Sequence, residues 1–326
     1  MKLLPALFLL AACNGKDDTG TRDSRPDTDD EDTDTDTDTD TDTDTGEPAV
    51  ATDVRFSFSA SELSTRDVLT VGATATWSDG SSSDVAGEAT YTSSDEAVLR
   101  FFTPGRGQPL DEGTAHVTAS YAGFSAEADL TISMAKVGVG DLVINELLAD
   151  PPGDSNLDGV TDAVEDEFVE LANHADATLD IGGVLLTDSD IEGIPRHTVP
   201  AGTILAAGEA LLIFGGGDGA AVASSTCQVQ IATNADSGLQ YGLALNNEGD
   251  LLTVWLPDGV TKLAEIGYGD AGPYDAIENA ALTLNPDVWG TSYTHHRYAT
   301  NSIGDASPCT YADGSAFPGP EGRYAP

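Results

Sequence analysis

The chain has 326 residues, enough for two domains of ordinary size. Asp and Glu number 56 against 13 Lys and Arg, for a formal net charge of -43. Nucleic-acid affinity is built from cations that neutralise phosphates, so this balance argues against a nucleic-acid partner. It points instead to high solubility, repulsion from anionic surfaces and a capacity for cations. Few aromatic residues beside 35 Gly suit thin β-sandwiches rich in turns.

In chain order, Met1 to Ala12 reads as a signal peptide: Lys2, an apolar run from Leu3 to Leu10, then small residues. The run is too short to span a bilayer. Leu10-Ala11-Ala12-Cys13 resembles the lipobox of bacterial lipoproteins, which implies cleavage before Cys13 and lipidation of that residue. The membrane is then a partner through the lipid anchor. By analogy with other lipoproteins, Asn14 after the Cys implies the outer membrane or cell surface.

Residues 13–48 follow as the lipidated Cys and a polar linker, with Asp and Thr alternating from Asp32 to Thr45. Neither face of that alternation is apolar and its like charges repel, so a disordered spacer is expected. About 35 residues at roughly 3.3–3.6 Å each reach at most about 120 Å.

Residues 49–135 show short apolar/polar alternations: Val68 to Trp77, Ala89 to Thr92, Ala97 to Phe102, Ala115 to Ala119 and Ala126 to Ile132. Turn clusters such as Ser78-Asp79-Gly80-Ser81 separate them, which predicts an all-β sandwich. The words Ala75-Thr76-Trp77-Ser78-Asp79-Gly80, Tyr91-Thr92-Ser93-Ser94-Asp95 and Gly113-Thr114-Ala115-His116-Val117-Thr118-Ala119 are similar to the bacterial Ig-like group 2 family. That resemblance implies a surface spacer or adhesive module. Phe102 to Gly107 is longer than the family's usual turn. His116 reads as structural.

After a linker from Met134 to Gly140, residues 136–326 read as a second all-β module. Strands are expected at Leu142 to Leu148, Phe168 to Leu171, Val184 to Thr187, Ala210 to Phe214, Leu243 to Leu245, Leu251 to Leu256 and Leu263 to Tyr268. The words Ile144-Asn145-Glu146-Leu147, Asp166-Glu167-Phe168-Val169-Glu170-Leu171, Leu179 to Asp188 and Leu245-Asn246-Asn247-Glu248-Gly249-Asp250 resemble the lamin-tail domain family. The resemblance implies an Ig-like β-sandwich and fixes a fold better than a function. Leu284 stands where that family commonly has Arg, so any role of that Arg does not carry over.

One stretch carries sharp chemistry. Counted from Asp154, oxygen donors fall at Asp154, Asn156, Asp158, Asp162 and Glu165, with Gly159 at the turn and Val160 offering its carbonyl. This is the spacing of an EF-hand calcium loop, and Ca²⁺ takes six to eight such oxygens. Asp150-Pro151-Pro152-Gly153 forbids an entering helix, so the expectation is a strand-loop-strand Ca²⁺ site with at most one helical turn near Ala163 to Asp166. Asp166 or Glu167 could take the place of Glu165.

Cys227 and Cys309 are expected to pair in an exported protein, closing a loop of about 80 residues. His295-His296 reads as a surface loop and Gly215 to Gly219 as a flexible turn. No Gly-x-Ser-x-Gly elbow or phosphate loop occurs. The sequence thus predicts a non-catalytic, lipid-anchored surface protein that binds a cell-surface protein or glycan. The alternatives are an accessory to a secreted nuclease or phosphatase system, and a purely structural envelope protein.

Overall fold

The computed structural model describes residues 47–189, 194–233, 242–275 and 278–323. The readings for residues 1–46, Cys13 included, lie outside the described residues. Among those described, no helix is long and apolar enough to cross a membrane.

The first part of the chain forms β1 (Ala51–Phe58), β2 (Glu62–Ser64), β3 (Leu69–Trp77), β4 (Ser82–Asp84), β5 (Thr90–Ser93), β6 (Leu99–Thr103), β7 (Arg106–Pro109), β8 (Gly113–Tyr121) and β9 (Phe124–Ser133). One sheet runs β1-β3-β7-β6, with β4 added to β3, and a second runs β2-β9-β8-β5. Alternation dictates this sandwich: Leu69, Val71, Ala73 and Ala75 of β3 and Ala115, Val117 and Ala119 of β8 all turn inward. The long segment after β6 is a hairpin, because Gly105 at φ +73 lets β7 fold back on β6.

The remainder forms β10 (Ala135–Lys136), β11 (Leu142–Leu148), β12 (Phe168–Asn173), β13 (Leu179–Asp180), β14 (Leu185–Thr187), β15 (His197–Thr198), β16 (Ile204–Leu205), β17 (Ala210–Phe214), β18 (Cys227–Ile231), β19 (Gly249–Trp255), β20 (Lys262–Gly269), β21 (Leu282–Leu284) and β22 (Tyr293–His295). A six-stranded sheet, β18-β17-β12-β11-β21-β22, faces the four-stranded sheet β15-β14-β19-β20. Ile144, Leu147, Val169, Leu171, Leu211 and Ile213 pack there with Leu186, Leu252, Val254 and Ile266.

The other face of the large sheet is buried too. Leu148, Phe168, Ala172, Leu212 and Phe214 lie with Cys227, Cys309 and Phe317. The segment after β22 is the cover, and the Cys227–Cys309 disulfide fastens it to β18. That is why β12 and β17 are buried at every residue. A bulge at Asn145 shifts the β11 register, so Ile144 and Leu147 share the inner core while Glu146 and Leu148 face the cover.

Three sequence expectations are corrected. Leu243 to Leu245 is not a strand; Ala244 sits at φ +49 and the apolar side chains are buried from a turn. Met134 to Gly140 is no slack linker, since Ala135 and Lys136 pair in parallel with Leu179 and Asp180. The junction is closed further by Thr65 Oγ1, which donates to Thr178 O at 2.5 Å. Arg66 Nη1 donates to Asp141 Oδ1 at 3.0 Å and its Nη2 to Lys136 O at 2.8 Å. The third concerns His296, which is fully buried, not exposed in a loop: its Nδ1 lies 2.9 Å from Gly304 O.

Candidate metal centre

The loop from Asp154 to Glu165 joins β11 to β12 and is wound by its own acidic side chains. Asp154 accepts from Asp158 N at 3.2 Å and Gly159 N at 2.9 Å. Asn156 Oδ1 accepts from Asp158 N, and Asp158 Oδ1 from Val160 N, at 3.0 and 2.8 Å. Gly159 takes φ +93, the left-handed turn for which the spacing requires Gly. Asp166 N donates to Asp162 O at 3.1 Å, giving the single helical turn before β12.

The expected donors divide by burial. Asn156 is buried, Asp154 and Asp158 are half-buried, and Val160, Asp162 and Glu165 are exposed. Of the acids able to close the loop, Asp166 is the one that turns back into it. Its fully buried carboxylate accepts from Ser155 N at 2.7 Å, Asn156 N at 3.1 Å and Asp162 N at 2.8 Å. Glu167 points the other way, to Leu245 N at 3.1 Å, and burial pushes its carboxyl up to about 9. Backbone N–H donors from Val164 and Glu165 hold Asp162 below the usual carboxylate range.

Among the described residues, the one set of three Asp, Glu, His or Cys ligand atoms lying within 4.8 Å of one another is Glu170, Cys227 and Cys309. Its two sulfurs are bonded to each other, so it is not a thiolate site. Asp154, Asp158, Asp162 and Glu165 are not drawn that close. The donor set of the loop is nevertheless all oxygen, as a hard cation requires.

The glycines after β17 form the bed of this loop, a correction to the flexible turn expected there. Gly215 N donates to Glu167 O at 2.8 Å and Gly216 N to Glu165 O at 3.1 Å. A Cβ on Gly217 would stand 2.3 Å from Asn156 Nδ2 and 2.5 Å from Asp158 Oδ2.

The sequence reading missed a second acidic group under the cover. Glu146 and Glu170 are cross-strand partners, both fully buried. Glu146 accepts from Ser307 N at 2.9 Å and Ser307 Oγ at 2.7 Å, and its Oε2 lies 3.7 Å from His296 Nε2. Glu170 accepts from Asn145 Nδ2 at 2.9 Å and Cys309 N at 2.7 Å. Burial raises Glu146 to about 7. Burial, and then the neighbouring Glu146 charge, raises Glu170 well above the ordinary range. The available signal was two acids inside otherwise apolar strands.

Mostly antiparallel sheets stacked face to face, with parallel pairs at β2–β9, β10–β13 and β17–β18, make this an all-β protein of Ig-like sandwich architecture. Residues 136–270, which run from β10 to β20, match the family model of the Lamin Tail Domain. No curated protein matches the chain. Among solved structures, domains 5–6 of the S-layer protein SbsC match at 12% identity and a TM-score of 0.22, over 70% of this chain and 100% of that one. A DUF4876 family protein from Bacteroides thetaiotaomicron VPI-5482 matches at 11% identity and a TM-score of 0.25, over 58% and 53%. Domains 4–9 of surface layer protein SbsC match at 13% identity and 0.22, over 73% and 32%.

Proposed function

We propose that the chain is a non-catalytic cell-surface protein, anchored by lipid on Cys13, that presents an Ig-like and a lamin-tail module for binding. The observation that carries this reading is the closed junction at Thr65, Arg66, β10 and Asp141. A head whose modules are fixed before a ligand arrives loses less freedom on binding. Labelled palmitate fed to producing cells should enter the full chain and not a Cys13→Ala variant, and external protease should reach the full chain on intact cells. A Cys13→Ala variant that stays on the membrane would sink the anchor. Nuclease or phosphatase activity in the full chain, abolished by one carboxylate substitution, would favour a hydrolase accessory.

In the same reading Ca²⁺ belongs to the loop from Asp154 to Asp166, where it would relieve repulsion among Asp154, Asp158 and Asp166. Its role is structural: it clamps the connection between two core strands. With a Kd of about 0.1 mM, about 2 mM Ca²⁺ adds roughly 1.8 kcal/mol by mass action. For a module of this size that is a melting rise of about 4–7 °C. The rise should disappear in Asp158→Ala. An equal rise in that variant would assign the effect to the Asp/Thr run.

A further inference from the structure

We propose that the outer face of β14, β19 and β20 is a saccharide site, selective for neutral pyranose chains over anionic ones. The proposal rests on the display reading above and gives it a ligand class.

Strand alternation builds the face. Leu186, Leu252, Val254 and Ile266 turn into the core. Their neighbours Thr187, Leu251, Thr253, Trp255 and Glu265 therefore come out together on the opposite side. The register sets Thr187 beside Thr253 and Thr253 beside Glu265, with Trp255 one step along beside Lys262. These side chains line a cleft of about 500 Å³, inside the range of about 300–1,000 Å³ usual for small-ligand sites.

The polar groups are in place before any ligand enters. Trp255 Nε1 donates to Thr187 Oγ1 at 2.9 Å, which fixes the tilt of the indole. Thr253 Oγ1 donates to Glu265 Oε2 at 3.2 Å. The Lys262 ammonium pairs with Glu265 and stands 5.8 Å from the centre of the Trp255 ring. A pyranose offers an apolar C–H face and a rim of hydroxyls. The half-buried indole matches the first; the Glu265 carboxylate and the Thr187 hydroxyl match the second, while Thr253, itself buried, holds Glu265 in place.

Charge sets the selectivity. Lys262 is already spent on Glu265, and the chain as a whole carries -43. A uronate or phosphate-bearing glycan would be repelled, while a neutral or N-acetylated sugar would not.

The test uses the full chain in a sugar-free detergent, titrated with cello-oligosaccharides, chitin oligosaccharides and oligogalacturonate by calorimetry and tryptophan fluorescence. One neutral series should bind with a sub-millimolar Kd, at least about tenfold tighter than the uronate. Trp255→Ala should weaken it by about tenfold or more, and Trp255→Phe, which keeps a ring, by less. Thr187→Val tests the indole tether without removing the ring, and should also weaken binding. Neither heat nor fluorescence change with any neutral sugar, for a chain that is still lipid-labelled and surface-exposed, overturns the saccharide site and leaves the display reading standing. Equal affinity for the uronate overturns it, as does binding unchanged in Trp255→Ala. A sugar-free fluorescence change on dilution, lost in Trp255→Ala, also overturns it by showing that a second copy covers the face.

Discussion

Replacing both members of the Cys227–Cys309 pair by Ala should destabilise the second module strongly. The cysteines are 82 residues apart, and cross-linking a loop of that length lowers the entropy of the unfolded chain by an amount worth about 4.5 kcal/mol at 25 °C. At about 2–4 °C per kcal/mol for a domain of this size, the melting temperature should fall by about 9–18 °C. The double variant is preferable to a reductant, since both cysteines are buried. Differential scanning calorimetry reads the temperature, and a urea titration reads the m-value. The m-value should rise, because the uncrosslinked chain unfolds to a more expanded state. Hydrogen exchange adds a local test: the Cys309 amide, now bonded to Glu170, should lose protection as the cover loosens. A fall of only about 3 °C with an unchanged m-value would refute the chain-entropy argument. The cover would then be held by its apolar packing and its hydrogen bonds.

Other consequences are open to direct measurement. Glu146, Glu167 and Glu170 all have raised pKa values, so the folded state keeps protons that the unfolded state releases above about 4.5; the stability these three contribute is greatest at low pH and is lost as pH rises towards 7 and beyond. Urea stabilities from pH 5 to 8 should fall with a slope of up to about 1.4 kcal/mol per pH unit for each proton held, and Glu170→Gln should reduce that slope, leaving the share of Glu146 and Glu167. Arg66→Ala leaves the nearly buried Asp141 without its guanidinium partner, at a cost of about 1–3 kcal/mol, and small-angle scattering should show a wider spread of module orientations. Gly217→Ala places a Cβ against Asn156 and Asp158 at a φ of +70, and should lower the melting temperature and abolish the Ca²⁺-dependent rise.

The larger strands could be read because their apolar pattern is local. β3 and β8 alternate cleanly; β17 is a continuous apolar run, and β11 is apolar but for Asn145 and Glu146, and in the structure both are packed on both faces. The shortest elements could not be read. β10, β13, β15 and β16 have two residues each, and their conformation is set by partners far away in sequence. Leu243 to Leu245 was misread because alternation says which side chains are buried, not whether the backbone is extended. In the metal loop the spacing located the candidate donors and the turn at Gly159. Whether Glu165 or Asp166 faces the loop depends on how the chain enters β12, which spacing does not encode. His296 is hidden from sequence reading because its burial comes from the cover, a segment in which the sequence shows no strand pattern.

The parallel pairing of β10 with β13 also has a mechanical consequence. A pull applied near residue 47 and resisted on the lamin-tail module is not taken up by a slack joint. It meets a short ladder loaded along its strands, with the β2–β9 parallel pair in series on the other side of Met134. Strands pulled lengthwise must break several hydrogen bonds at once, whereas a hairpin pulled at its open end unzips them singly. The few residues between the modules therefore act as a shear coupling that passes tension on to the head.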